Sequence, residues 1–427
     1  MKLLLKNVII AKDDNTTEIV DIAIENDRIT DVDKSLDFKA DKVIDGMSRL
    51  VAFTGLFDMH VHFRDPGLTY KEDIITGADA AKSGGFTGVA CMPNTIPAID
   101  SSETIEYVKN KAKQTGIDVL PIACVSKGMS GKELTDFSKL KKAGAAAFSD
   151  DGRPVENAEL MRRAIEQAEK TGVTVISHCE DLNIINGGIM NKGEVSQSLG
   201  VKGMDRASED YITAREIALA MSMDAHIHIA HVSTKGSCNI IRAAKADGVQ
   251  VTCETAPHYF TFTDEKLYSK DADYRMSPPL RTEEDRKAIE KAVCDGTIDC
   301  IITDHAPHSE DDKADFYKAP NGVVGLETSL AATLTKLYHT GLVSLWKIQK
   351  LMSENPRKIL GLKPISISKG SIADITVFDP DLEWTVNKEN LHSKSKNSVF
   401  KGERLKGKVL YTISKGKIVF DENENQH

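Results

Sequence analysis

The sequence predicts an α/β protein: a TIM-type (β/α)8 barrel with a small β-sandwich domain built from both termini. Three observations predict it. Through the middle of the chain, short β-branched or apolar runs alternate with helical stretches, the pattern of βα units on a parallel sheet. Both ends instead carry short β-type runs broken by turn signals. At 427 residues the chain exceeds the usual single-domain size, so a large domain and a smaller one are expected.

In chain order, residues 3–10, 19–25 and 42–44 read as strands, separated by turns such as Asn26-Asp27 and Asp45-Gly46. Runs at 373–378, 408–414 and 417–420 repeat that character. The expected division is 1–52 for the first part of the sandwich, 53–365 for the barrel and 366–427 for the second part. Within the barrel, eight strand candidates fall at 56–62, 87–92, 119–125, 145–149, 173–178, 226–232, 249–254 and 299–304. Helices are expected at 102–115, 157–171, 210–223, 235–247 and 283–294, with 327–338 and 344–353 closing the barrel. Eight units fit a closed barrel better than an open sheet, which has about five or six strands. Two long connections, 182–209 and 306–325, are rich in Gly, Asn and Asp and read either as a cover over the site or as solvated insertions.

Composition narrows the function classes. Apolar residues at 41% and charged residues at 28% argue against disorder and coiled coil. A net charge of −9, with no basic stripe interleaved with aromatics, argues against a nucleic-acid partner. The apolar start, Leu3 to Ile10, is too short for a signal segment and runs into Asp13-Asp14-Asn15. No stretch approaches the roughly 20 apolar residues of a membrane span. Seven cysteines stand singly, without a Cys-x-x-Cys pair, and read as reduced, buried and cytoplasmic. Cys179 follows a histidine, but its neighbours suggest packing.

His60 and His62 are two apart on a strand and so share a face, and Arg64 continues that parity. Alone, such a pair fits a packed or surface role as well as a metal. The remaining strand ends change the balance: Asp150-Asp151 follows the fourth run, His178 ends the fifth, His231 lies near the end of the sixth and Asp304 ends the eighth. These are the C-terminal rim positions at which barrel enzymes work. Four histidines and two carboxylates exceed one tetrahedral zinc but suit two divalent metals that share a carboxylate and activate water, so no serine or cysteine nucleophile is needed. His226 and His228 sit deeper, where packing or a backbone hydrogen bond is expected, while His258 and His305 read as structural or as supports of the site. His339, His392 and His427 lie outside the pattern and read as surface residues.

Asp58-Met59-His60-Val61-His62-Phe63-Arg64-Asp65-Pro66-Gly67 and Thr303-Asp304-His305-Ala306-Pro307-His308 resemble the cyclic amidohydrolases, specifically the long bacterial (class I) dihydroorotases. Met92-Pro93-Asn94-Thr95, Phe148-Ser149-Asp150-Asp151-Gly152, Ser177-His178-Cys179-Glu180-Asp181, Ala230-His231-Val232-Ser233-Thr234 and Ser277-Pro278-Pro279-Leu280-Arg281 extend the likeness over nearly the whole chain. The resemblance implies two zinc ions: one on His60, His62 and Asp304, the second on His178 and His231, with Asp151 between them and Asp150 as the competing bridge. It assigns a substrate carboxylate to Arg64, Asn94 and His308, and backbone contacts with the ring to Asn321 and Gly322. Ser277 stands where these relatives commonly have a substrate-touching asparagine, so that contact is weakened or passes to water. Asp304 would also carry the proton between the attacking water and the leaving amide nitrogen.

The implied reaction is the reversible cyclisation of N-carbamoyl-L-aspartate to (S)-dihydroorotate in pyrimidine synthesis. Hydantoinases, dihydropyrimidinases and allantoinases, the nearest rivals, bridge their metals with a carboxylated lysine on the fourth strand. Residues 145–151 contain no lysine, and Lys141 and Lys142 precede the strand, at its wrong end. A catalytically silent scaffold subunit for aspartate transcarbamoylase is a rival of another class and should lack several ligands that this chain keeps. The resemblance also leaves room for a homodimer or for association with that transcarbamoylase.

Overall fold

The computed structural model describes residues 2–424. The chain opens with five strands, β1 (Lys2–Ala11), β2 (Thr17–Glu25), β3 (Arg28–Asp33), β4 (Lys42–Asp45) and β5 (Val51–Thr54). β1 buries Leu3, Leu5, Val8 and Ile10, and the change of spacing after Leu5 marks a bulge at which Asn7 takes φ 52°. Gly55 then leads into the barrel.

The barrel strands are β6 (Leu56–Val61), β7 (Phe86–Cys91), β8 (Asp118–Pro121) and β9 (Ile176–Ser177), followed, after a small parallel pair β10 (Met190–Asn191) and β11 (Gly203–Met204), by β12 (Ile227–Ile229), β13 (Val251–Thr255) and β14 (Cys300–Ile301). β6 to β8 pair in parallel, as do β9 and β12 to β14. The fourth expected strand shrinks to Phe148, which bridges Ala123 on one side and Val175 on the other. Its three alanines, 145–147, offer little of the branched surface that favours extended pairing. A parallel bridge from Val61 to His305 joins the first strand to the eighth and closes the ring.

Helices lie between the strands where apolar residues recur on one face. Ala158–Thr171 buries Leu160, Met161, Ala164, Ile165 and Ala168, starts on the Asn157 cap and stops at Gly172, which takes φ 61°. The helix Ile74–Ser83 was not among the expected ones. Gly77 weakens its helical signature, yet only a glycine fits there, since a Cβ would lie 2.4 Å from the Phe63 ring.

The chain ends in β15 (Ile375–Thr385), β16 (Arg404–Ser414) and β17 (Lys417–Asp421). β5 pairs antiparallel with β15 and touches β1, so one sheet in the order β17-β16-β15-β5-β1-β2-β3 joins both termini, with β4 beside β1. This β-sandwich has its own core, including Leu5, Ile22, Ile24, Ile375, Val377 and Ile413. Among the described residues, no helix is long and apolar enough to cross a membrane.

Candidate metal centre and adjoining cavity

β6 carries His60 near its end and His62 just beyond it, at the C-terminal rim, where both are buried. His62 Nε2 lies 3.1 Å from Asp304 Oδ1 and 3.2 Å from Asp151 Oδ2. Asp151 Oδ1 lies 3.1 Å from His178 Nδ1, 3.2 Å from His231 Nε2 and 3.5 Å from His60 Nε2. Donor atoms of His60, His62 and Asp151 fall within 4.8 Å of one another, and so do those of Asp151, His178 and His231. His60 Nε2 is buried with no hydrogen-bond partner among the described residues. An orphaned imidazole nitrogen between two carboxylates, in a set of nitrogen and oxygen donors sharing Asp151, fits a pair of divalent cations.

Asp150 faces elsewhere. Its carboxylate accepts from the Ser126 backbone and hydroxyl, and burial, opposed by those bonds, raises its pKa to about 6.

Charge compensation holds the cluster together. Burial disfavours the charged form of His178, but Asp151 and Glu180 outweigh it and raise the pKa to about 10. Burial likewise opposes the charge on Asp151, and the surrounding histidines hold it well below the usual carboxylate range. A cation entering here displaces imidazole protons, because metal ligation needs the neutral ring.

Arg64 reaches the site by a route other than strand parity. β6 ends at Val61, and Arg64 turns back with φ 59°. His231 and Asp304 also have positive φ, 31° and 48°. Such strained backbone at three strand ends is characteristic of functional positions.

A cavity of about 420 Å³ opens over the cluster, lined by His62, Arg64, Asn94, Asp151, His178, Ser277, Asp304, His308, Asn321 and Gly322. His60 and His231 are buried against Asp151 instead. The long connections 182–209 and 306–325 both supply its walls, the first through Leu182, Ile185 and Met204.

One side of the cavity is cationic. Arg64 donates from Nε to the Pro307 carbonyl at 3.2 Å, and burial, offset by Asp304 and Asp151, brings its pKa to about 10. Burial and the charges of Arg64, Lys313 and Lys71 hold His308 far below the usual range, so it is neutral. With Lys71 Nζ 3.1 Å from its Nδ1, His308 donates from Nε2 to the Asn321 carbonyl at 2.9 Å. Lys313 Nζ donates to the carbonyls of Ala272, Arg275 and Pro320.

The remaining sequence-predicted residues are partly committed within the protein. Asn94 accepts from His62 Nδ1 at 2.8 Å, and Ser277 donates to Glu180 at 2.7 Å. The Gly322 N–H donates to Arg275, and its carbonyl accepts from Asn397. With φ 143° and a would-be Cβ 2.6 Å from the Ala306 oxygen, Gly322 keeps the wall thin.

Sequence reasoning gave no role to Glu180, Glu254, Lys71 or Lys313. Glu180 follows His178 by two residues and Glu254 ends an expected strand, so both carried a positional signal; Lys71 lies in a turn and Lys313 ends the four-residue helix Glu310–Lys313, and neither carried one.

His226 and His228 bond to the Thr252 hydroxyl rather than to backbone. His305 Nδ1 accepts from the Gly325 N–H, and burial lowers the His258 pKa to about 4. His339 bonds to the Pro380 carbonyl and His392 to Glu327, while His427 lies outside the described residues. His228, Glu254 and Cys300 also cluster, but burial holds the Cys300 thiol protonated, and its sulfur faces Met59.

A family model described as dihydro-orotase-like matches residues 49–237. A dihydroorotase from Geobacter sp. (strain M21) is 53% identical over 373 residues, which cover 87% of this chain and 88% of the relative. One from Trichlorobacter lovleyi is 49% identical over 98% of this chain and 99% of its own. Among solved structures, the L-hydantoinase (dihydropyrimidinase) from Arthrobacter aurescens superposes with TM-score 0.87 at 23% identity, covering 98% of this chain and 96% of that one. The dihydropyrimidinase from Brevibacillus agri gives 0.85 at 22%, covering 99% and 95%. The structural neighbours share the fold, whereas the sequence relatives match it closely over most of their length: the chain belongs to the dihydroorotase family.

Proposed function

We propose that this enzyme is a zinc-dependent dihydroorotase, closing N-carbamoyl-L-aspartate to (S)-dihydroorotate with loss of water and reopening the ring in reverse, in UMP synthesis. The observation that carries the reading is that an imidazole and carboxylate cluster and a cationic wall face the same cavity. His60, His62 and Asp304 would hold one zinc and His178 and His231 the other, with Asp151 shared. When bound, two such cations polarise a carbonyl and lower the pKa of water toward neutrality.

Arg64 presents a planar fork to the substrate carboxylate, and Asn94 adds an amide beside it. Neutral His308 completes that wall, and the Lys71 ammonium beside it favours an anion there. The Asn321 backbone and Ser277 border the ring, with Gly322 making room for it. Asp304 takes a proton from the attacking water and hands it to the amide nitrogen as the C–N bond breaks; in the closing direction it carries the proton back. The absence of lysine from residues 145–151 supports this reading over a hydantoinase-type centre. Seven free cysteines, six of them buried, support a cytoplasmic setting.

The test is dihydroorotate hydrolysis by the purified chain before and after chelation, with hydantoin and allantoin in parallel. Turnover of dihydroorotate that chelator removes and zinc restores is expected. Turnover of hydantoin or allantoin alone would overturn the assignment. No activity, with less than one zinc bound after loading, would make the chain a silent scaffold.

A further inference from the structure

We infer that Glu254 and Glu180 are positioning residues, one for each half of the metal centre, that fix which imidazole nitrogen faces the cations. The inference rests on the metal-centre reading above. Glu254 Oε1 lies 2.5 Å from His60 Nδ1. An ionised carboxylate only accepts, so this contact holds the Nδ1 proton and makes Nε2 the nitrogen that gives up its proton to a cation. That nitrogen is 3.5 Å from both Asp151 and Asp304.

In the other half the ring is reversed. Glu180 Oε2 lies 2.8 Å from His178 Nε2, which keeps the proton there and turns Nδ1 toward Asp151 at 3.1 Å and His231 Nε2 at 2.8 Å. The two histidines therefore present opposite nitrogens to the centre, each backed by its own carboxylate. His62 has only the neutral Asn94 behind it, and His231 Nδ1 has no partner among the described residues. Each half thus holds one carboxylate-backed imidazole.

The surroundings favour this role over chance packing. A barrel interior is normally filled by aliphatic side chains, and a buried carboxylate is costly unless paired. Glu254 is fully buried, yet its second oxygen lies 3.1 Å from His228 Nε2, and His228 is anchored in turn by Thr252 at 2.8 Å. Glu180 is braced by the Ser277 hydroxyl. Ser277, standing where an asparagine is common among the proteins this chain resembles, thereby gains a part in orienting a ligand.

The test is zinc titration of metal-free Glu254→Gln, Glu180→Gln and the double variant against a chromophoric chelator, with thermal unfolding of the metal-free proteins alongside. Each single variant should weaken one of two zinc steps by about 10–100-fold and leave the other nearly unchanged, and the double variant should weaken both. A merely structural role would lower the melting temperature of the metal-free protein and leave both steps in place, which would overturn the inference. Both steps falling together in each single variant would overturn it too. Should Glu254→Gln not fold, Glu180→Gln, on the cavity wall, decides alone. Wild-type protein that binds no zinc overturns the metal-centre reading itself, whereas two normal steps in wild type and variants alike overturn only the positioning role.

Discussion

Both ends of the barrel bury histidines, and the chain treats them in opposite ways. At the C-terminal rim, His60 and His178 lie against Asp151 and a second carboxylate each, which overcome burial and raise their pKa values. At the other end, where β12 begins, His226 meets the Thr252 hydroxyl and has His228 for a neighbour, so burial brings its pKa down to about 4. The residue type is the same; the partner differs. A histidine left neutral by burial has no proton to exchange for a cation, whereas one held charged by carboxylates can make that exchange.

The largest effect expected from breaking the rim is that of Asp304→Asn. It removes an anionic ligand and the proton carrier together, so kcat should fall by at least about 10³-fold. Far-UV circular dichroism should remain that of the wild type; kcat within tenfold of wild type would remove Asp304 from proton transfer. Arg64→Met should act on the other wall of the cavity. Loss of a charge-assisted fork worth about 3 kcal/mol raises KM roughly 10²-fold, with zinc content unchanged. If kcat fell instead while KM held, Arg64 would belong with the cluster and not with the carboxylate.

The same contrast explains what could be read from the sequence. Strand ends are marked by composition, so His60, His62, His178, His231 and Asp304 stood out before any geometry was known. Asp150 and Asp151 could not be separated, because the chain had already left the strand; the side-chain bonds of Asp150 to Ser126 separate them in space. Arg64 was placed by pleat parity, yet a left-handed turn puts it in the cavity, and such a turn at a non-glycine residue leaves no trace in the pattern. Lys71 and Lys313 were invisible for a related reason: a turn and the four-residue helix Glu310–Lys313 are too short to show a periodicity. In the sandwich, β3 and β5 went unread because Arg28–Asp33 alternates charges with few apolar residues and Val51–Thr54 runs, across Gly55 alone, into the first barrel strand.

The smallest effect, and the one that tests the far end, is on stability. His226 has a folded pKa of about 4 against an ordinary value of 6.5, so the unfolded chain binds the proton first as the pH falls. Stability is therefore intact above pH 6.5 and is lost as the pH drops through that value toward 4. His228, Asp299 and Lys358 share its surroundings, and His226 is only partly buried, so the loss should be about 1–2 kcal/mol rather than the full linkage value. His226→Gln keeps a hydrogen-bonding side chain and has no proton to gain. Urea unfolding at pH 7 and pH 4.5 should show wild type losing that much more stability than the variant; equal losses would mean that His226 is charged in the folded protein, and the contrast between the two ends would fail.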